Sequence, residues 1–292
     1  MKDFQDYIQQ LVGAGGPAPE QYLELDGWFQ RVTAQLAAEP LSGRSVQELW
    51  PMFGAAFSLN TVQGFAALKP HGYSGDFEIM ERLYSRWLSP LPELQNWDLF
   101  THWHPATQAV RNRKDYFKQV MTALAADGQP RTVLNVGSGP CRDIHEYLQE
   151  HPDTPLRFEC VDLDGQAIAY AQQLLNGAAV LFHQANAFTF STTQRYDLVW
   201  SAGLFDYLND REFVFLLKAL AKLLQPGGEL VVGNFSEANP SRAYMEFGDW
   251  VLHHRTDAQL QALAAQAGLP EAGVRIEREP LGVNLFLRAR LA

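Results

Sequence analysis

The 292-residue sequence holds only two cysteines, Cys141 and Cys160. Two are too few for a disulfide scaffold and too few for a thiolate metal cluster. No apolar run is long enough to span a bilayer, and the opening stretch MKDFQDYIQQ carries no signal-peptide core. The expectation is a soluble, cytoplasmic protein. Positive charge is also scarce: 23 Lys and Arg face 33 Asp and Glu, a balance of −10 that disfavours nucleic acid or an anionic membrane as partner. Internal repeats and low-complexity segments are lacking too. With 47% hydrophobic and 19% charged residues, the chain reads as an ordinary globular protein of one large domain or two small ones.

Composition changes near residue 127. Residues 1–126 hold five of the seven tryptophans (Trp28, Trp50, Trp87, Trp97, Trp103) and read as helices broken by Pro/Gly loops at 13–19, 68–75 and 88–92. Apolar spacing of three and four predicts helices over 77–87 and 105–126, the second with Val110, Tyr116, Phe117, Val120, Met121 and Leu124 on its core face. From 127 on, short β-rich runs alternate with helical stretches, the pattern of a parallel sheet with crossover helices. Strands are expected at 132–136, 157–161, 179–183, 196–200 and 229–234, and helices at 142–150, 165–175, 211–224 and 257–267. Leu224-Gln-Pro-Gly-Gly228 reads as a helix stop and turn. The runs 274–278 and 283–289 are joined by too short a link for a crossover helix, so they should pair antiparallel.

The most informative stretch is Val133-Leu-Asn-Val-Gly-Ser-Gly-Pro-Cys141, an apolar strand ending in a Gly-x-Gly turn before a helix. Gly137, Ser138 and Gly139 let backbone approach a ligand closely, and the helix start offers free N–H groups. A dinucleotide fingerprint would want a third glycine where Arg142 stands, which argues against NAD or FAD. At the end of the next strand, 23 residues after Gly139, comes Asp162, placed to accept both hydroxyls of an adenosine ribose. Asp164 is read as the N-cap of the following helix. Cys141, at a helix start, is read as a packing residue rather than a nucleophile.

These residues carry a resemblance. Asn135-Val-Gly-Ser-Gly139, Val161-Asp162, Gln184-Ala-Asn186-Ala187, Tyr196-Asp-Leu-Val-Trp-Ser-Ala202 and Leu224-Gln-Pro-Gly-Gly-Glu-Leu-Val-Val232 resemble the successive motifs of class I S-adenosylmethionine-dependent methyltransferases. The resemblance implies an α/β fold, a Rossmann-like seven-stranded mostly parallel sheet with an antiparallel last strand. It implies S-adenosyl-L-methionine as cofactor, held by Gly137, Ser138, Gly139, Asp162, Leu163, Asn186, Ala187, Ser201 and Ala202. Three positions depart from the commonest pattern: Asn135 stands where an acid often precedes the turn, Cys141 where a third small residue is usual, and Asn186 where Asp often meets the adenine amino group. An Asn carbonyl can still accept from that group.

Residues 1–126 are read as a helical lid or acceptor-recognition region, with an insertion at about 235–256 in the 127–292 domain. His71-Gly-Tyr-Ser-Gly-Asp-Phe-Glu78, Ala109-Val-Arg-Asn-Arg-Lys114, Pro240–Trp250 and His254-Arg-Thr256 resemble a bacterial subgroup labelled extracellular-factor 3-hydroxypalmitate methyl ester biosynthesis proteins. Tyr73 and Asp76, on a loop with two glycines, are candidates for handling the acceptor; the plainer alternative makes Asp76 a helix N-cap and Tyr73 a packing residue. Tyr207 and Tyr244 join them as candidate catalytic or pocket-wall residues. Arg111, Arg113 and Arg255 are candidate carboxylate clamps, against the plainer role of a solvated charged face, and Asp206 a candidate amine acceptor. The His102/His104 and His253/His254 pairs lack a third ligand at known spacing, so no metal is expected. The expected activity is methyl transfer to a small-molecule carboxylate, amine or hydroxyl. Alternatives are a non-catalytic cofactor-binding module serving a protein partner, or an NAD-dependent oxidoreductase.

Overall fold

The computed structural model describes residues 2–38 and 45–291. The chain divides into two compact units, residues 1–108 with 240–251, and residues 109–239 with 252–292. In chain order the helices of the first unit are α1 (Lys2–Gly13), α2 (Tyr22–Ala38), α3 (Val62–Leu68), α4 (Phe77–Ser85) and α5 (Gln95–Trp103). The long helix α6 (Pro105–Leu124) starts there and continues into the second unit from Ala109.

The second unit then alternates β1 (Arg131–Val136), α7 (Arg142–Glu150), β2 (Leu156–Asp162), α8 (Gly165–Leu174), β3 (Val180–Gln184), β4 (Tyr196–Ser201), α9 (Asp210–Ala221) and β5 (Leu224–Phe235). After β5, the short α10 (Arg242–Phe247) belongs to the first unit, and α11 (Asp257–Gln266), β6 (Val274–Arg278) and β7 (Asn284–Arg290) complete the second.

The first unit is built on an aromatic core. Trp28 and Phe29 of α2, Phe53, Phe57, Trp97 and Phe100 pack with Phe247 of α10; the Phe29 and Phe247 ring centroids lie 4.9 Å apart. Buried Asp98 ties two chain segments to α5 by accepting the Val62 and Ser89 N–H groups, each at 2.7 Å. A carboxylate holding two backbone donors satisfies groups that burial would otherwise leave unpaired.

The second unit is a seven-stranded sheet in the order β3-β2-β1-β4-β5-β7-β6. β1 to β5 pair in parallel, and β7 runs antiparallel to both β5 and β6. Both faces are covered, as a parallel sheet requires. Successive residues of β1 face opposite cores: Leu134 and Val136 join Phe213, Leu216, Leu217 and Leu220 of α9 and Leu260 and Leu263 of α11, while Val133 joins Phe117 and Met121 of α6 and Ile144 and Tyr147 of α7. The apolar face expected for α6 therefore lies on the sheet from Tyr116 onward.

One stretch differs from the sequence expectation. Leu224–Gly228, read as a turn, is the bulged start of β5: Tyr196 pairs with Leu224 but Leu198 pairs with Glu229. A Cβ on Gly228 would stand 2.9 Å from the Tyr196 carbonyl oxygen, so glycine lets the extra residues fold against β4.

Candidate functional site

Between β1 and β4 the strand order reverses direction, and the carboxyl ends of the strands leave a crevice there, the place where open α/β sheets bind ligands. The glycine turn forms its floor. Gly137 has φ +66°, Gly139 +54° and Cys141 +53°, all in the left-handed region. At Cys141 this is a strained choice for an L-residue, held by a side chain sealed in the core with its sulfur 3.7 Å from that of Cys160. The Gly137 N–H donates to the Val161 carbonyl at 2.8 Å, extending the β1–β2 ladder into the turn.

Asp162 locks that turn. Its Oδ2 accepts the Gly139 N–H at 2.8 Å and its Oδ1 the Asp164 N–H at 2.9 Å. Desolvation raises its pKa, and these two hydrogen bonds oppose the shift. A carboxylate has about four acceptor positions, so two backbone bonds leave capacity for a ligand's hydroxyls. Asp164 caps α8 through the Gln166 N–H at 2.8 Å, as its position implied.

Three observations describe what the crevice can hold. A Cβ placed on Gly139 would meet nothing within 4 Å, so open space faces the turn. The Ser138 hydroxyl is buried with no hydrogen-bond partner. Leu163, directly after Asp162, is 66% exposed, an apolar surface beside a polar anchor. Backbone donors, a diol acceptor and an apolar plate together fit an adenosyl group.

The remaining candidate cofactor residues sit at or just after the ends of β3 and β4. Asn186 is exposed; its Oδ1 accepts the Phe188 N–H at 2.9 Å, and Ala187 packs partly buried against the sheet core. Ser201 is fully buried and donates to the Val136 carbonyl at 2.8 Å, so its hydroxyl ties β4 to the end of β1. The Ala202 carbonyl accepts from Arg113 Nη1 at 2.9 Å.

Several candidates for substrate contact are engaged inside the protein instead. Arg255 directs all five N–H donors to protein acceptors: Asp210 Oδ1 (twice), Asn234 Oδ1, and the Phe205 and Leu208 carbonyls, at 2.6–3.3 Å. It is 3% exposed and has no donor left for a clamp. Asp206 Oδ1 accepts the Phe235 N–H at 2.6 Å, and burial pushes its pKa up to about 6. The two residues join the segment after β4 to β5 and the start of α11. Tyr207, next to Asp206, is exposed.

Tyr73, Asp76 and Tyr244 lie in the first unit. Asp76 is buried and caps α4, accepting the Glu78 and Ile79 N–H groups at 3.0 and 2.9 Å. Tyr73 is 41% exposed. Tyr244 sits in the aromatic core, stacked on His104 at 3.9 Å with its hydroxyl bonded to Thr101 and Gln63, and burial drives its pKa upward.

The structure adds residues that sequence reasoning passed over. Asp143, in the first turn of α7, has its pKa raised to about 6 by desolvation, against the pull of the Arg113 charge. In sequence it reads as an ordinary acid at a helix start. Glu279 is buried and accepts the Leu281, Val283 and Asn284 N–H groups, fixing the β6–β7 link. No sequence signal marked it.

Comparison with known proteins agrees with this geometry. Residues 133–228 match a family model described as a methyltransferase domain. A curated relative, alpha N-terminal protein methyltransferase 1 of Drosophila melanogaster, is 29% identical over 109 residues; the match spans 34% of this chain and 37% of that protein. Among solved structures, a "possible exported protein" from Bordetella parapertussis covers 86% of this chain and 98% of its own at 18% identity, with a TM-score of 0.62. An O-methyltransferase family protein from Burkholderia thailandensis covers 85% and 70% at 17% identity, with a TM-score of 0.51. The chain thus has the Rossmann-like methyltransferase fold with an N-terminal helical region, and its segment from 133 to 228 carries the methyltransferase-domain pattern.

Proposed function

We propose that this protein is an S-adenosylmethionine-dependent methyltransferase acting on a small-molecule acceptor. The observation that carries this reading is the glycine turn, open in front of Gly139 and locked to Asp162. The residues that would hold the cofactor are Gly137–Gly139 and Asp162, with Leu163, Asn186 and Ala187 at the purine end. When bound, S-adenosylmethionine supplies a methyl group on a positively charged sulfur, open to in-line displacement by an acceptor lone pair. The protein's part is to fix orientation and exclude water. Ser201 and Arg113, through their bonds to Val136 and Ala202, hold the ends of β1 and β4 in one arrangement.

Among acceptors we favour a carboxylate, which needs no base; a hydroxyl or ammonium must first lose a proton. The subgroup resemblance of His71–Glu78 and Ala109–Lys114, whose label names a methyl ester, points the same way. Exposed Tyr207, after β4, is the side chain proposed to meet the acceptor. A purely binding role predicts cofactor affinity without turnover, which separates the alternative.

The test is calorimetry with S-adenosylhomocysteine, followed by transfer of labelled methyl to a carboxylate library. Asp162→Ala should lower S-adenosylhomocysteine affinity at least 100-fold: two hydrogen bonds to a charged acceptor are worth about 1.5–3 kcal/mol each. Unchanged affinity in a folded variant would remove the ribose assignment.

A further inference from the structure

Asn284 is the first residue of β7. That strand runs antiparallel to β5, so Asn284 stands opposite Phe235 at the carboxyl end of β5, the end of the sheet that carries the glycine turn. Alternation along β7 puts it on the same face as Phe286, whose ring stacks on Tyr116 of α6 at 3.9 Å. Asn284 is 1% exposed, and neither its Oδ1 nor its Nδ2 has a hydrogen-bond partner.

The nearest carboxylate has no room for this amide. Glu279 Oε1 accepts the Val283 and Asn284 N–H groups at 2.7 and 3.2 Å, and its Oε2 accepts the Leu281 N–H and Asn112 Nδ2 at 2.8 and 2.7 Å. Four donors use the acceptor positions that a carboxylate offers. The Asn284 carbonyl is taken as well, by the Glu279 N–H at 3.2 Å. The side-chain amide is thus surplus to a network that is complete without it. An unpaired buried amide costs stability, and a leucine of the same branching would avoid that cost. Asparagine here is accounted for by a group that binds from outside the chain. A second orphan of this unit, the Ser138 hydroxyl, lies at the same end of the sheet, just after β1.

The strand order β2-β1-β4-β5-β7 sets Asn284 and Asp162 on opposite sides of the crevice. Three strand spacings, about 14 Å, separate β1 from β7. With a ribose on Asp162, the β5–β7 side is left to the acceptor.

We propose that the Asn284 amide reads the acceptor. Nδ2 donates to one oxygen of the acceptor's carboxylate, leaving the other oxygen to be methylated, and Oδ1 accepts an O–H or N–H. The two polar atoms of an amide lie side by side, so that donor belongs on the carbon next to the carboxylate. The acceptor class is therefore a 2-hydroxy or 2-acylamino acid, not a plain hydrocarbon acid. This rests on the carboxylate-methylating reading above. An acid without the donor leaves the buried Oδ1 unpaired, which a site of this kind rejects strongly.

The test uses three acids with labelled S-adenosylmethionine: 2-hydroxyoctanoate, N-acetylnorleucine and octanoate. The wild type should methylate at least one of the first two more than about tenfold faster than octanoate. Asn284→Leu should cut that preference at least tenfold, while S-adenosylhomocysteine affinity stays within twofold. It should also melt no lower than the wild type, because the folded chain loses no hydrogen bond. A structural asparagine would behave differently: a Tm fall of more than about 4 °C overturns the proposal. Equal wild-type rates on all three acids, or an undiminished preference in the variant, overturn it too. Asn284→Ala carries the same comparison of acids if Asn284→Leu does not fold. S-adenosylhomocysteine binding without methyl transfer to any acid would instead reject the carboxylate reading, and the Asn284 assignment with it.

Discussion

Adding one methyl group at Gly139 separates ligand contact from folding. Gly139 has φ +54°, and a Cβ there meets no atom within 4 Å. Gly139→Ala therefore pays only for the left-handed backbone, about 1–2 kcal/mol, with no steric term. For a folding unit of this size that is a Tm loss of roughly 2–8 °C. The new methyl stands in the space where the adenosyl group is proposed to approach, and crowding of that kind costs about 1–3 kcal/mol, roughly 5- to 150-fold in affinity. Gly128 is the control: its φ is +71° and its Cβ space is equally open, but it lies in the loop before β1. Gly128→Ala should lose similar stability and leave S-adenosylhomocysteine affinity unchanged. Thermal melts and calorimetry on both variants decide the matter. Equal affinity losses, or none in Gly139→Ala, would refute the reasoning.

Three further outcomes are expected. Arg255→Met should destabilise the protein by about 3–5 kcal/mol, read by urea unfolding, because it strips five donors from a buried network and leaves the buried Asn234 acceptor unpaired; a loss below 1 kcal/mol would contradict the structural role. Asp206 has a folded pKa near 6 against 3.8, so the folded state holds its proton more tightly and stability falls as pH rises from about 4 to 6. Relative to Asp206→Asn, the wild type should lose about 3 kcal/mol across that window and nothing more above it; parallel pH curves for the two proteins would show that the carboxylate is not desolvated. Tyr207→Phe should lower turnover while leaving S-adenosylhomocysteine affinity within twofold, and a wild-type rate would remove Tyr207 from the acceptor's path.

Much of the sheet was legible because buried parallel strands are short β-branched and aromatic runs, and because their helices begin with recognisable caps. Asp164, Asn209 and Thr256 each accept a backbone N–H at a helix start. The glycine turn and Asp162 were legible for a similar reason: backbone geometry and a lone carboxylate are written locally. Other parts depend on partners that no local pattern names. Arg255, Asp206 and Tyr244 have the residue types of a binding site, yet their hydrogen bonds run to segments far along the chain. The apolar spacing of α6 showed a buried face but not which core it enters, and the division of the chain falls within that helix rather than at 126. Asp143 looked ordinary because the burial that raises its pKa, against the pull of Arg113, comes from tertiary packing that no local pattern shows.

The most direct measurement is a crystal structure of the protein soaked with S-adenosylhomocysteine. The ribose hydroxyls should lie on the Asp162 carboxylate, with the Gly137–Gly139 backbone against the ligand and no side chain moved to admit it. A ligand bound elsewhere, or Asp162 still facing only its two backbone donors, would contradict the account.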